Sequence, residues 1–131
     1  PHDYEKYILP YTKRVFDGLK DLGVPVINFS TGTSTMLNLV QKAGGDVLSF
    51  DWRIQMDTAR AQLGNDQPVQ GNLDPVTLFA PLPVIKERVH DILKRAGGQG
   101  HIFNLGHGIL QHTPVEHVQA VVEMVHEYKH E

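Results

Sequence analysis

The chain has 131 residues, 12 basic and 15 acidic side chains, a formal net charge of −3 and no cysteine. This length corresponds to one small domain, and the slight acidity argues against a nucleic-acid partner, which usually requires a basic patch. Because there is no cysteine, disulfides, thiolate zinc sites and cysteine nucleophiles are excluded for this chain. No apolar run approaches the roughly 18 residues of a membrane span. The polar start PHDYEKY carries no signal-peptide pattern, which favours a cytoplasmic location.

The first predicted element is a helix over residues 3–22. Apolar side chains recur there every three to four residues, the spacing of one helix face. Pro10 is an objection, because a proline inside a helix costs about 3 kcal/mol. The sequence leaves open a kink at Pro10 or a helix that begins near it, and Gly23 is predicted to end the helix.

Strand and helix signals then alternate to the end of the chain. Short β-rich runs predict four strands, at 24–30, 46–52, 68–75 and 101–106. Periodic apolar residues predict helices between and after them, at 36–43, 54–63, 83–96 and from about 115 onward. The sequence Thr113-Pro-Val-Glu116 has the form of a capping box with proline at the first helical position.

This alternation predicts parallel strands joined by helical crossovers. The strands are apolar on both faces, as expected for a sheet that is covered on both sides. Two architectures fit, a four-stranded doubly wound sheet and half of a (β/α)8 barrel, since a whole barrel takes about 250 residues. The chain contains no nucleotide-binding glycine motif that would favour the doubly wound fold.

Each predicted strand ends in polar or glycine residues. Ligands of parallel α/β folds bind outside the carboxyl ends of the strands, so these residues are predicted to meet on one rim. In chain order they are Asn28, Ser30 and Thr31; Asp51, Trp52 and Arg53; Gly71, Asn72 and Asp74; and Asn104, Gly106 and His107.

Most of these residues also have a purely structural interpretation. Residues 30–33 can form a loop and a helix cap, and Asp51 can cap the next helix or pair with Arg53. Asn72 and Asp74 precede a proline and are strong turn formers.

His107 is the residue most suggestive of chemistry, because Gly106 and Gly108 flank it. Glycines permit unusual backbone angles and close approach of a ligand, and histidine is a hydrogen-bond donor near neutral pH. The pattern alone leaves open whether His107 acts on a ligand or only forms a turn. The other histidines have structural interpretations: His112 is near, but no third ligand at a metal-like spacing follows, so no zinc site is predicted.

Several motifs resemble the uroporphyrinogen decarboxylase family. They are FNLGHGI at 103–109, QGNLDP at 70–75, FDWR at 50–53, the opening YILPYTKRV and the ending TPVEHVQAVVEMVHEY. The resemblance extends over essentially the whole chain. It implies that residues 1–131 are the C-terminal half of a single-domain (β/α)8 barrel, with the last four strands, and that the N-terminal half is absent.

The resemblance also implies an activity. Members remove carbon dioxide from the four acetate side chains of uroporphyrinogen III and yield coproporphyrinogen III in haem biosynthesis, as homodimers without a metal or organic cofactor. Their catalytic aspartate and arginines are expected in the segment before Pro1. The family's active-site histidine matches His107, which is therefore expected to bind a substrate carboxylate. The motifs that contain Asp51, Asn72 and Asp74 give these residues no catalytic role.

Two alternatives remain beside this interpretation. One is a related barrel such as a metal-dependent methyltransferase, although the metal ligands of those enzymes include cysteine. The other is a half-barrel scaffold without turnover of its own. For the decarboxylase interpretation, the isolated chain is expected to be inactive, because the catalytic aspartate is expected outside it. It is also not expected to be self-sufficient as a monomer, because half a barrel leaves two strand edges open.

Overall fold

The computed structural model describes residues 1–130 and contains a four-stranded parallel sheet. The strands lie in chain order, and each pairs in parallel with the next. They are β1 (Ile27–Ser30), β2 (Val47–Phe50), β3 (Val69–Gln70) and β4 (His101–Ile102). The predicted alternation and parallel pairing are confirmed. The last two strands are shorter than predicted, because beyond them the ladder continues only as a bridge between Leu73 and Leu105.

Five α-helices alternate with these strands. They are α1 (Leu9–Leu19), α2 (Leu37–Ala43), α3 (Met56–Leu63), α4 (Leu82–Ala96) and α5 (Val115–Glu127). Successive helices pack side by side, from α1 against α2 to α4 against α5, and form one layer over the sheet. A doubly wound sheet would carry helices on both faces, so this arrangement is an open part of a (β/α)8 barrel. No helix within residues 1–130 is long and apolar enough to span a membrane.

The helical backbone around Pro10 shows how the chain accommodates this proline. A π-helical turn, Tyr4–Ile8, precedes α1, and the Leu9 N–H donates to the Tyr4 carbonyl. Pro10 therefore lies in the first turn of α1, where its missing N–H leaves no gap in the α-helical hydrogen bonding. The regular α-helix therefore begins next to Pro10, at Leu9, but the helical backbone continues upstream to residue 2 through the π-helical turn. A 3₁₀ turn follows α1, and Gly23 ends it with a φ of 71°.

The predicted capping box before α5 is wrong. The Thr113 hydroxyl donates to the Leu110 carbonyl at 2.7 Å and closes the preceding turn instead of capping the helix. Pro114 occupies the N-cap position, without a side-chain hydrogen bond to the helix. One turn later, His117 Nδ1 lies 2.7 Å from the Leu78 carbonyl oxygen and fixes this end of α5 to the preceding chain.

Two clusters of buried apolar side chains hold the helices to one face of the sheet. The first centres on β2, α2 and α3, and the second joins α4 to α5. Members of the first are Leu37, Val40, Leu48, Phe50, Met56, Ala59, Leu63, Val69 and Ala96. Members of the second are Leu73, Leu78, Ile85, Val89, Leu93 and Val121.

The opposite face of the sheet, which we call the inner face, is open at both edge strands. Ile27 and Phe29 of β1 are 43% and 52% exposed, and Ile102 of β4 is 46% exposed. The prediction that the strands are buried on both faces is therefore wrong for β1 and β4, while β2 is buried along its whole length. The sequence provides apolar side chains for this face, but residues 1–130 do not cover it.

We expect the 131-residue chain alone to associate in solution, because its two strand edges and its apolar inner face are exposed. Sedimentation velocity over a range of concentrations measures this. Phe29→Ser should reduce association, whereas Val76→Ser, at an exposed position in the turn after β3, should not. A compact monomer that unfolds cooperatively at every concentration would contradict the expectation.

Candidate functional site

A groove on the inner face runs past the carboxyl ends of the strands and contains His107. The first three strands each contribute one residue to the groove, namely Phe29, Ser49 and Gln70. The segment after β4 contributes Asn104, Leu105, His107, Gly108 and Ile109. The Gln70 amide donates to the Ser49 hydroxyl at 3.0 Å, which joins β3 to β2 across the floor of the groove. The groove lies at the end of the sheet where the rim was predicted, but of the residues predicted for it only Asn104 and His107 line the groove, which combines polar and apolar side chains.

His107 is exposed at this groove. Its imidazole packs edge-to-face against the indole of Trp52, with ring centroids 6.4 Å apart and planes at 85°. Among residues 1–130 the imidazole makes no hydrogen bond to protein. Both ring nitrogens are therefore available to a ligand, which is what a binding histidine requires.

Asp51 connects the loops that follow β1 and β2. Its buried carboxylate accepts hydrogen bonds from the Gly32 N–H at 2.6 Å, the Arg53 N–H at 3.0 Å and the Arg53 guanidinium at 2.5 Å. Burial raises the pKa of this carboxyl, but the three donors and the positive charge of Arg53 outweigh burial and hold the pKa below its usual value. The predicted pairing of Asp51 with Arg53 is confirmed. The alternative prediction, that Asp51 caps the next helix, is wrong because no side chain caps α3.

Asn72 and Asp74 have structural roles at this end of the sheet. The buried Asn72 amide donates to the carbonyls of Asp51 and Ile54 at 3.0 and 2.7 Å, which fixes the loop after β2 against the loop after β3. Asp74 accepts from the Val76 N–H at 3.0 Å and caps the 3₁₀ helix Pro75–Phe79. The turn-forming interpretation of Asp74 is confirmed.

The residues after β1 belong to the scaffold. The hydroxyls of Ser30 and Thr33 lie 2.8 Å apart within the loop, and α2 begins without a side-chain cap, so the loop prediction holds and the cap prediction does not. Asn28 does not reach the groove. It is buried against α2, where its amide donates to the Gly44 and Val40 carbonyls.

The two glycines beside His107 serve a purpose that differs from the predicted one. Neither has a positive φ, so the prediction of unusual backbone angles is wrong. A Cβ on Gly106 would lie 2.8 Å from the Trp52 backbone nitrogen and 3.0 Å from the Asp51 Cα, whereas a Cβ on Gly108 would meet nothing within 4 Å. Gly106 therefore permits the loop after β4 to approach the loop after β2, and the space around Gly108 is open to a ligand.

Four of the other histidines, His90, His101, His117 and His130, take part in structural contacts. His101 opens β4, and its Nε2 lies 2.6 Å from the Gly71 carbonyl oxygen. Burial lowers the pKa of His101, and the nearby positive charges of Arg60 and His130 act in the same direction. Within the described part of the chain, no three histidine, aspartate or glutamate side chains converge on a metal position.

Sequence reasoning missed Phe29, Ser49 and Gln70 as groove residues. In the sheet they form one row, since Phe29 pairs with Ser49 and Ser49 with Gln70. Alternation along a strand places every second residue on the same face. That signal becomes usable only once the register between strands is known.

A parallel α/β barrel segment with a polar groove at the carboxyl ends of its strands defines a class of ligand-binding barrels. The family model for uroporphyrinogen decarboxylase (URO-D) matches residues 1–128. The chain belongs to the uroporphyrinogen decarboxylase family.

Similar proteins agree with this assignment. The chain is 59% identical over 128 residues to the uroporphyrinogen decarboxylase of Carboxydothermus hydrogenoformans and 54% identical over 127 residues to that of Trichlorobacter lovleyi. These matches cover 97% and 96% of the chain but 37% of each relative, so the chain spans little more than a third of the length of these curated relatives. A solved methyltransferase from Methanosarcina mazei superposes with a TM-score of 0.83 over 97% of the chain and 37% of its own, at 19% identity, which shows a shared fold.

We expect Gly106→Ala to destabilise the fold by about 1–3 kcal/mol, because the added methyl group forces the loops after β2 and β4 apart. Gly108→Ala is the matched control and should change the free energy of unfolding by about 0.5 kcal/mol or less. Urea denaturation at unchanged slope measures both. Equal effects of the two substitutions would contradict the close-approach explanation.

Proposed function

We propose that this chain is the His107-bearing, C-terminal part of a uroporphyrinogen decarboxylase. The whole protein would remove carbon dioxide from the four acetate side chains of uroporphyrinogen III and release coproporphyrinogen III. One observation carries the proposal: in a chain of this family, an imidazole without a hydrogen bond to residues 1–130 stands at a groove on the inner face. In this proposal His107 donates a hydrogen bond to a substrate carboxylate.

The chemistry can proceed on the substrate itself. Protonation of a pyrrole ring carbon gives a cation, which accepts the electron pair of the carbon–carbon bond as the acetate loses carbon dioxide. The exocyclic methylene carbon that remains then takes up a proton to become the methyl group, and the ring carbon loses the proton it had gained. The protein then has to orient the carboxylates and stabilise the positive charge. His107 and the groove would serve the first task, and an aspartate and arginines from the rest of the protein would serve the second. No metal or organic cofactor takes part in this proposal.

The remaining partners follow from the same proposal. Residues 1–131 would form one barrel with the N-terminal part of the same protein, and the complete barrel would form a homodimer in the cytoplasm. The exposed Ile27, Phe29 and Ile102 support the first of these contacts, because they occupy the face that a closed barrel would bury. The methyltransferase alternative has less support, since the similarity to the Methanosarcina mazei protein concerns fold alone.

In the complete protein, His107→Ala should raise KM for uroporphyrinogen roughly ten- to a hundredfold, because a hydrogen bond to a charged group contributes about 1.5–3 kcal/mol. The melting temperature should change little, since the side chain is exposed. His126→Ala, at an exposed position on α5, is the matched control. Unchanged kinetics together with a large fall in melting temperature would show that His107 is structural.

The purified 131-residue chain should show no turnover of uroporphyrinogen, because the expected aspartate and arginines lie outside it. Mixing it with the N-terminal part of the same protein should restore activity if the two parts assemble. Activity of the chain alone would contradict the proposed division of the site. A complete protein without activity would favour the scaffold hypothesis.

A further inference from the structure

We infer that Trp52 is a positioning residue for His107, setting the orientation of the imidazole at the groove. The kinetic part of this inference rests on the proposed function, whereas the structural part does not. Trp52 follows β2 and His107 follows β4, so the contact joins two loops that are 55 positions apart in the sequence.

The contact between the two rings has the geometry of a favourable aromatic pair. Perpendicular rings with centroids 4.5–7 Å apart attract each other, because the positive ring edge faces the negative ring face. The Trp52–His107 pair, at 6.4 Å and 85°, falls within this range. Since the imidazole has no hydrogen bond to residues 1–130, the indole is the contact that selects among its rotamers.

Trp52 is itself held in place from the side of β2. The Arg53 guanidinium carbon lies 4.6 Å from the centre of a Trp52 ring, a cation–π distance. Asp51 fixes that guanidinium, and the same carboxylate binds the Gly32 N–H of the loop after β1. The indole therefore has a defined position before any ligand arrives.

Gly106 brings the loop that carries His107 into contact with the loop that carries Trp52. Because Gly106 has no Cβ, the backbone immediately before His107 can lie against the Trp52 backbone nitrogen and the Trp52 ring carbon Cε3. The loop that carries the imidazole and the loop that carries the indole are thus in direct contact. A displacement of Trp52 displaces the support of His107 as well.

This support has a consequence for binding. A histidine that is already oriented loses less rotamer freedom when it donates to a ligand, so its hydrogen bond contributes more to affinity. Loss of Trp52 should therefore weaken binding of the substrate carboxylate and affect KM more than kcat.

The test uses Trp52→Leu and Trp52→Phe in the complete protein, with two readouts. The first is the rotamer of the His107 imidazole without substrate, seen in crystal structures of the variants. The second is the steady-state kinetics with uroporphyrinogen. Trp52→Leu should release the His107 imidazole from its rotamer and raise KM roughly two- to tenfold, the range that an aromatic pair contributes. Trp52→Phe keeps an aromatic partner and should restore most of KM.

A second histidine–aromatic pair provides the control. His90 packs against Tyr128 with ring centroids 5.1 Å apart, on the helix side of the sheet. Tyr128→Leu should release the His90 imidazole and leave the His107 rotamer and KM unchanged. If Trp52→Leu fails to fold, Trp52→Met replaces it, because methionine keeps more of the side-chain volume while it removes the aromatic ring, and it should release the His107 imidazole as well.

The outcomes separate this inference from the proposed function. An unchanged His107 rotamer in Trp52→Leu, or in Trp52→Met where that variant replaces it, overturns the inference. So does an unchanged KM in a protein whose KM rises in His107→Ala, while the proposed function stands. If His107→Ala itself leaves KM unchanged, the proposed function fails, and the His107 rotamer still decides whether Trp52 orients the ring.

Discussion

The parallel register of the four strands determines which side chains reach the groove. Phe29, Ser49, Gln70 and Ile102 form one row across the sheet, each paired with the next. Asn104 lies two residues beyond Ile102 and therefore on the same face. A slip of one residue would reverse the faces and turn buried side chains such as Phe50 towards the groove. The apolar core under the helices opposes such a slip, so packing on one face fixes the chemistry on the other.

Asp51 extends this order from the strands to the loops. A buried carboxylate is unfavourable unless donors and an opposite charge compensate for the loss of water. Here two backbone N–H groups and one guanidinium do so, and they come from two different loops. The Asp51 carbonyl also accepts from Asn72, which adds the loop after β3. The loops on the rim are therefore held by one connected network, and His107 joins it through Trp52 and Gly106.

The sequence was sufficient for the element order, the parallel pairing and the end of the sheet at which the groove lies, because these follow from local periodicity and from the geometry of parallel crossovers. It identified only Asn104 and His107 of the side chains that line the groove. It could not distinguish a half barrel from a doubly wound sheet, since the choice depends on which face the helices cover. The capping-box prediction was wrong because the Thr113 hydroxyl has a competing local partner, the Leu110 carbonyl three residues earlier, and the sequence pattern does not decide between the two. The prediction that Gly106 is needed for unusual backbone angles was also wrong. Its close contact with Trp52 depends on residues far apart in the sequence, which no local motif reveals.

The inner face of the sheet exposes apolar side chains at its two edge strands. Antiparallel or one-sided strands that face water alternate apolar with polar residues, whereas β1 carries Ile27 and Phe29 on the exposed side and β4 carries Ile102 there. These residues are apolar at positions where residues 1–130 provide no cover. A strand that is apolar on both faces is encoded for burial on both faces, so the pattern supports closure of the barrel by further protein. Such closure would also place a wall opposite His107 and convert an open groove into an enclosed site, in which a carboxylate ligand loses water and a hydrogen bond from the imidazole becomes stronger.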